Sequence, residues 1–190
     1  MDGMGKVISF EERAVAALRD RLGAAESAKQ DLIAFARGHS GATAAIHSAI
    51  LALMKADGLF ALFDVVRNDW PRLLGVDHAV LTLVADGQGF RVESGHVGTV
   101  EPRIVDRAIE RLDPVTMRTV DCGHPLFGST ARDIRSEALV LLSAEAPLPY
   151  GILLLGQAAP AGLDNRHGAQ LLGFLGSSLA AMIRRCLIDN

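Results

Sequence analysis

The chain has 190 residues, enough for one well-cored domain with an appended piece, and its net charge of -3 lacks the basic surplus of a dedicated nucleic-acid binder. A hydrophobic fraction of 49 % is high, yet no stretch reads as the roughly 20 uninterrupted apolar residues of a membrane span, because Glu145, Pro147 and Pro149 break one run and Gln170, Ser177 and Ser178 mark the other. Two distant cysteines, Cys122 and Cys186, form no CxxC pair, which removes a disulfide framework or zinc knuckle and fits a reducing, cytoplasmic setting.

The start, with Asp2 and Lys6, has no apolar core of a secretory signal. Ser9 and Glu12 then make a capping-box pattern, so a helix is predicted to begin there. Val15, Leu18, Leu22, Ala25, Lys29, Leu32 and Ala36 follow in steps of three and four, the spacing of a coiled-coil seam with one lysine in it. A lone helix would leave that stripe wet, so Val15, Leu18, Leu22 and Leu32 are candidate dimerisation residues. Gly38 to Gly41 punctuates the pattern, dividing a helical extension (1–40) from a folded domain (41–190). A second helix places Ile46, Ile50, Leu53 and Met54 on one face and breaks at Asp57-Gly58. Leu59, Leu62, Phe63, Val66 and Trp70 form the next stripe, ending at or soon after Pro71.

From His78 the period changes. His78 to Ala85 is rich in β-branched and apolar residues, and Asp86-Gly87 supplies a turn before a second strand at Phe90 to Gly95. Glu101 to Leu112 reads as a helix, with Pro102 tolerated in its first turn and Ile104, Val105, Ala108, Ile109 and Leu112 on one side. Met117 to Asp121 is a short strand, and Cys122 to Arg135 is a loop with room for one helical turn. Ala138 to Ala144 and Ile152 to Ala158 are apolar on both faces, as in the middle of a sheet covered on each side. Leu141 and Leu153 are therefore expected to be buried. Asp164 can cap a final helix with a core stripe of Leu171, Leu172, Leu175, Leu179, Met182, Ile183 and Leu187.

The order of elements, with an apolar hairpin feeding a long terminal helix, resembles a GAF domain, a ligand-sensing relative of the PAS fold. That resemblance implies an α+β fold, with an antiparallel sheet of about five strands flanked by helices. The stretches Val7 to Leu22, Leu126 to Gly128, Ile134 to Leu142 and Leu171 to Arg185 resemble the DUF484 family of bacterial proteins, for which no activity is established. Members of that family are often encoded near a site-specific tyrosine recombinase, so the resemblance permits a protein partner in that context. The Asn-Lys-Phe-Asp-Glu constellation of cyclic-nucleotide-binding GAF domains is lacking. Cys122 is followed by Gly123, where bilin-attaching members commonly have His. The cofactor is left open.

In such a fold the loop before the central hairpin edges a pocket, so Cys122, His124, Phe127, Arg132, Asp133 and Arg135 are candidate ligand-binding residues. Cys122 and His124 could pair as thiolate and imidazole, though a free cysteine is also a small buried hydrophobe. The arginines could clamp an anion or pin the loop through an ion pair within the chain. No nucleophile elbow, His-Glu-x-x-His pair or catalytic carboxylate pair is present, so neither catalysis nor a resident metal is expected. On the last helix Gly173, Gly176 and Ala180 form a small-residue face that admits close approach of another helix, from a second copy or from this chain. The expectation is a non-catalytic sensory or regulatory module, dimeric through helices, with a small ligand held between sheet and loop. The alternatives are an interaction adaptor with a self-filled pocket and an enzyme using Cys122.

Overall fold

The computed structural model describes residues 10–93, 96–142, 149–160 and 166–188. The chain divides into two units, Met1–Gly41 and Ala42–Asn190. Helix α1, Phe10–Met54, contributes to both. It does not stop at Gly38 to Gly41 as the sequence pattern suggests: glycine inside a helix costs about 1 kcal/mol against alanine, which weakens a helix without ending it. Ser9 of the predicted capping box lies outside the described residues, as do the side chains of Val15, Leu18 and Leu32. Of the expected seam, Leu22 is exposed and so is Lys29.

In the second unit, the break at Asp57-Gly58 separates α1 from α2, Leu59–Asp64. A π-helical segment, Val65–Asp69, links α2 to α3, Trp70–Leu74. Pro71 accounts for the widening: its ring would collide with the carbonyl of Arg67 in a regular helix, and it offers no N–H. The wider turn is closed instead by Trp70 N–H donating to the Val65 carbonyl.

Six antiparallel strands follow, β1 His78–Ala85, β2 Gln88–Glu93, β3 His96–Val100, β4 Val115–Thr119, β5 Ser136–Leu142 and β6 Tyr150–Gln157, in the order β3-β2-β1-β6-β5-β4. The strand beyond the expected five is β3, a short and largely exposed edge strand with Gly98 in its middle, which lacks the apolar alternation of its neighbours. Asp86 and Gly87, both at positive φ, make the two-residue turn that pairs Ala85 with Gln88. Helix α4, Pro102–Ile109, buries Val105 and Ala108 but leaves Ile104 exposed. A kinked 3-10 segment occupies Pro125–Asp133, and α5, Arg166–Ile188, closes the chain. Asp164, the predicted cap of α5, lies outside the described residues.

Alternation along the strands splits the core in two. Ala79, Leu81 and Leu83 of β1, Val140 of β5, and Leu153 and Leu155 of β6 pack against Ile46 and Leu53 of α1, Leu62, Val66 and Trp70, and Leu175, Leu179 and Ile183 of α5. Val80, Val84, Leu139, Ile152 and Leu154 on the opposite face meet Val105 and Ala108 of α4, Leu126 and Phe127 of the 3-10 segment, and Ile134 just after it. Leu153 is fully buried as expected, whereas Leu141 is only partly buried near the end of β5. Met54 and Leu187, placed in core stripes from periodicity, are exposed, because each lies in the last turn of its helix, past the edge of the packed face. By length and mean hydropathy Gly168–Ile188 is apolar enough to cross a membrane, contrary to the sequence reading. In this fold its Leu175, Leu179 and Ile183 are instead core residues of the sheet's helical face.

Candidate functional site

The loop expected to hold a ligand is tied down to its own sheet. Glu137, on β5, is 1 % exposed, and its carboxylate accepts from Arg118 Nε at 2.7 Å and from the backbone N–H of His124 at 2.6 Å. Arg118 is the cross-strand partner of Glu137 on β4, so strand register alone places the guanidinium beside the carboxylate. The His124 ring caps the 3-10 segment, with Nδ1 accepting from the Leu126 N–H at 3.2 Å. Burial pushes its pKa below the usual value; Glu137 pulls it back up, and Arg118 adds to the lowering. The neutral ring is the form that keeps Nδ1 an acceptor.

Of the six residues singled out from the sequence, Cys122 and His124 both lie at the start of this loop, but their side chains bond to different partners, Cys122 to the Ala131 carbonyl and His124 to the Leu126 N–H. Cys122 is exposed, with Sγ 3.5 Å from the Ala131 carbonyl. Phe127 is fully buried in the core and fills space under the loop with its own ring. Arg135 pins the loop through carbonyls, with no ion pair among the described residues: Nη1 donates to Asp121 at 3.0 Å, Arg132 at 2.8 Å and Ile134 at 2.9 Å. Arg132 and Asp133 are exposed. None of the six lines either of the two cavities described next. The small-residue face of α5 packs within the chain: Gly176 is buried where a Cβ would come 2.5 Å from Val140 Cγ1, and Gly173 faces Val115.

The larger cavity, of about 400 Å³, opens where β1 outruns β2, and sequence reasoning missed it. The first β1–β2 pair is Leu81 with Val92, so His78 to Val80 project past that ladder. Arg67 and Asn68 from the π-helical segment, Asp77, Glu93 at the end of β2, and Ser129 and Thr130 of the 3-10 segment line it with them. Arg91 donates to Glu93 at 3.0 Å. Gly128 makes room for that guanidinium, since a Cβ there would come 2.7 Å from Arg91 Nη1, and its φ of 66° disfavours any other residue. The available signal was Pro71, four residues after Arg67, which forces the helix to widen and carries Arg67 and Asn68 away from the core stripe. A second cavity, of about 250 Å³, is mostly apolar and lies between Ile46, Leu171 and Leu172 and the sheet at Ala138 and Leu155. Among the described residues no three His, Cys, Asp or Glu side chains converge as a metal site would require.

With this geometry in hand, the fold has clear relatives among solved structures. The GAF domain of a protein assigned as a sensor histidine kinase from Pseudomonas syringae pv. tomato superposes with a TM-score of 0.53 at 14 % identity, covering 83 % of this chain and 95 % of its own. The GAF domain of a phosphoenolpyruvate-protein phosphotransferase from Acinetobacter gives 0.55 at 12 %, covering 77 % and 94 %. Free methionine-R-sulfoxide reductase from Neisseria meningitidis, solved with its substrate, gives 0.57 at 16 %, covering 76 % and 89 %. At such identities the fold is what is shared, and it is GAF-like. No curated protein matches the chain in sequence. The match that reaches residue by residue along the chain is to DUF484, protein of unknown function, over residues 2–187, and the chain belongs to that family.

Proposed function

We propose that this chain is a non-catalytic, GAF-like sensory module whose input is a small ligand in the cavity between the ends of β1 and β2, the π-helical segment and the 3-10 loop. The observation that carries the reading is the composition of that cavity: its polar lining comes from four separate elements, Arg67, His78, Glu93 and Ser129 among them. A ligand there touches the same loop that His124, Glu137 and Arg135 hold against the sheet, so occupancy would bear directly on how firmly that loop is held. The cytoplasm is the setting in which two free cysteines persist, one of them exposed. Native mass spectrometry of the protein purified from its own host tests the reading. A bound small molecule, lost on replacing cavity residues, is the expected result, and an empty protein whose melting temperature no small molecule raises would defeat it.

A second reading, an interaction adaptor, draws on two observations: Phe127 and Leu126 fill the sheet face beneath the loop, and Leu51, Met54 and Phe60 stand exposed on the second unit. Homodimerisation through α1 belongs to both readings. Light scattering decides that point: Leu51→Glu with Met54→Glu should convert a dimer to a monomer, and a dimer that survives places self-association elsewhere.

A further inference from the structure

The lining of the larger cavity also restricts what can bind there, an inference that rests on reading it as a ligand site. Arg67 uses one of its five N–H donors on Asp64, and its Nε is buried without an acceptor. A buried cationic donor left unpaired carries a standing cost that an added acceptor relieves. Glu93 and Asp77 supply the opposite need. The Oε1 of Glu93 takes Arg91 at 3.0 Å and leaves Oε2; the Oδ2 of Asp77 takes the Ala158 N–H at 2.7 Å and leaves Oδ1. The Thr130 hydroxyl spends its proton on the Phe127 carbonyl at 3.0 Å and can only accept from a ligand, whereas the exposed Ser129 hydroxyl can still donate.

These demands exclude most ligand classes. A polyphosphate would meet the carboxylates of Glu93 and Asp77, and its nearest guanidinium groups, Arg67 and Arg91, are already paired with Asp64 and Glu93. A bare organic cation would satisfy the carboxylates and leave the Arg67 Nε without an acceptor. A metal ion is not served, because no three suitable ligands converge among the described residues. A molecule with one carboxylate and one ammonium answers both needs, and about 400 Å³ is ample for one. We propose that the cavity binds a free α-amino acid, its carboxylate on Arg67 and Ser129 and its ammonium on Glu93 with Thr130. Such a ligand bridges the π-helical segment, the strand ends and the 3-10 loop.

The test is thermal melting of the full chain with standard L-α-amino acids, one at a time at about 10 mM, a concentration that shifts the melting temperature for any dissociation constant well below it. At least one should stabilise the protein, while its matched amine without the carboxylate and its matched acid without the amine should not. Arg67→Met and Glu93→Gln should each weaken that amino acid about tenfold or more, as loss of one charge-assisted hydrogen bond implies. Ser129→Ala, at an exposed position that leaves the core untouched, should weaken it several-fold and keeps the test open if Arg67→Met does not fold. Stabilisation that survives removal of either charged group from the probe overturns the proposal, as does undiminished binding by both Glu93→Gln and Ser129→Ala. If no amino acid stabilises the chain but protein from its own host carries a molecule of another class, this inference fails and the sensory reading stands. If neither experiment finds a ligand, both fall.

Discussion

One face of the sheet is covered by helices that interlock with it almost wholly through apolar atoms, Leu53 from α1, Trp70 from α3 and Leu175, Leu179 and Ile183 from α5. The other is covered by α4 and an irregular 3-10 segment, and there the apolar filling of Leu126, Phe127 and Ile134 is supplemented by specific polar ties. Glu137 holds His124 and Arg118, Arg135 holds three carbonyls, and the Tyr150 hydroxyl donates to Asp106 of α4 at 2.7 Å. Apolar interlocking is indifferent to pH and to the loss of any one atom pair. A loop held by a few bonds can be loosened by changing one of them, and elements of that kind belong to the less stable end of a structure, from which moving parts are drawn. The polar cavity borders this second kind of cover.

The comparison breaks first at its centre. Leu153 is fully buried on the helical side of β6, and truncating it to Ala should cost about 2–5 kcal/mol in chemical denaturation. Leu141, partly buried on the loop side, should cost distinctly less in the same assay. Equal losses would mean that the two faces are packed alike.

Next comes the tie on the loop side. Glu137→Ala removes a buried carboxylate with two charge-assisted partners and should cost about 3 kcal/mol, the low end for breaking a buried pair, because Arg118 is 46 % exposed and regains water. Arg118→Ala should cost at least as much, because it leaves the buried Glu137 carboxylate without its cation. A double-mutant cycle should return a coupling of about 1 kcal/mol or more between them. A coupling near zero would reduce the pair to a bystander of the packing.

On the helical face the equivalent test is steric. Gly176→Ala puts a methyl 2.5 Å from Val140 Cγ1 and should cost about 1–3 kcal/mol for overpacking, less the ~1 kcal/mol that alanine regains in helix propensity. A net stabilisation would show that Val140 yields to the added methyl without strain.

The helical face was the more legible of the two in the sequence, because its parts are repeats. The two-sided apolar runs of β5 and β6 and the Leu175, Leu179, Ile183 spacing of α5 read directly as strands and helix. The exposed edge strand β3 was not legible, since a pairing that buries nothing leaves no periodicity. Nor was the unbroken α1, whose glycines weaken a helix without ending it. The candidate site residues lie on a loop that is tied to its own sheet, and part of their polar capacity is spent on the loop's own backbone. A polar cluster in sequence does not say whether its donors face a ligand or the loop's own carbonyls, and Arg135 faces the latter. The cavity escaped because its lining comes from segments far apart in the chain, Arg67, Glu93 and Ser129, which only the sheet's register and the π-helical turn bring to one place.

The smallest expected effect separates the faces by pH. His124 titrates below 6.5 in the folded protein, first because burial disfavours its charged form, with Arg118 adding to that and Glu137 opposing it. The unfolded chain therefore takes up this proton at a higher pH than the folded one. The stability tied to the neutral ring is fully present above 6.5 and is lost as pH falls from there through the folded value. The proton also has a structural consequence, since a ring protonated on Nδ1 can no longer accept from the Leu126 N–H and the cap of the 3-10 segment is lost, worth about 1 kcal/mol. His124→Asn keeps a good capping side chain and removes the titration. Urea melts at about pH 7.5 and about pH 5, the range in which histidine changes charge, should show the wild type losing more stability on acidification than the variant. Contributions from the rest of the chain are common to both proteins and cancel in the difference. Parallel losses would place the proton elsewhere and leave the loop face as insensitive to acid as the helical one.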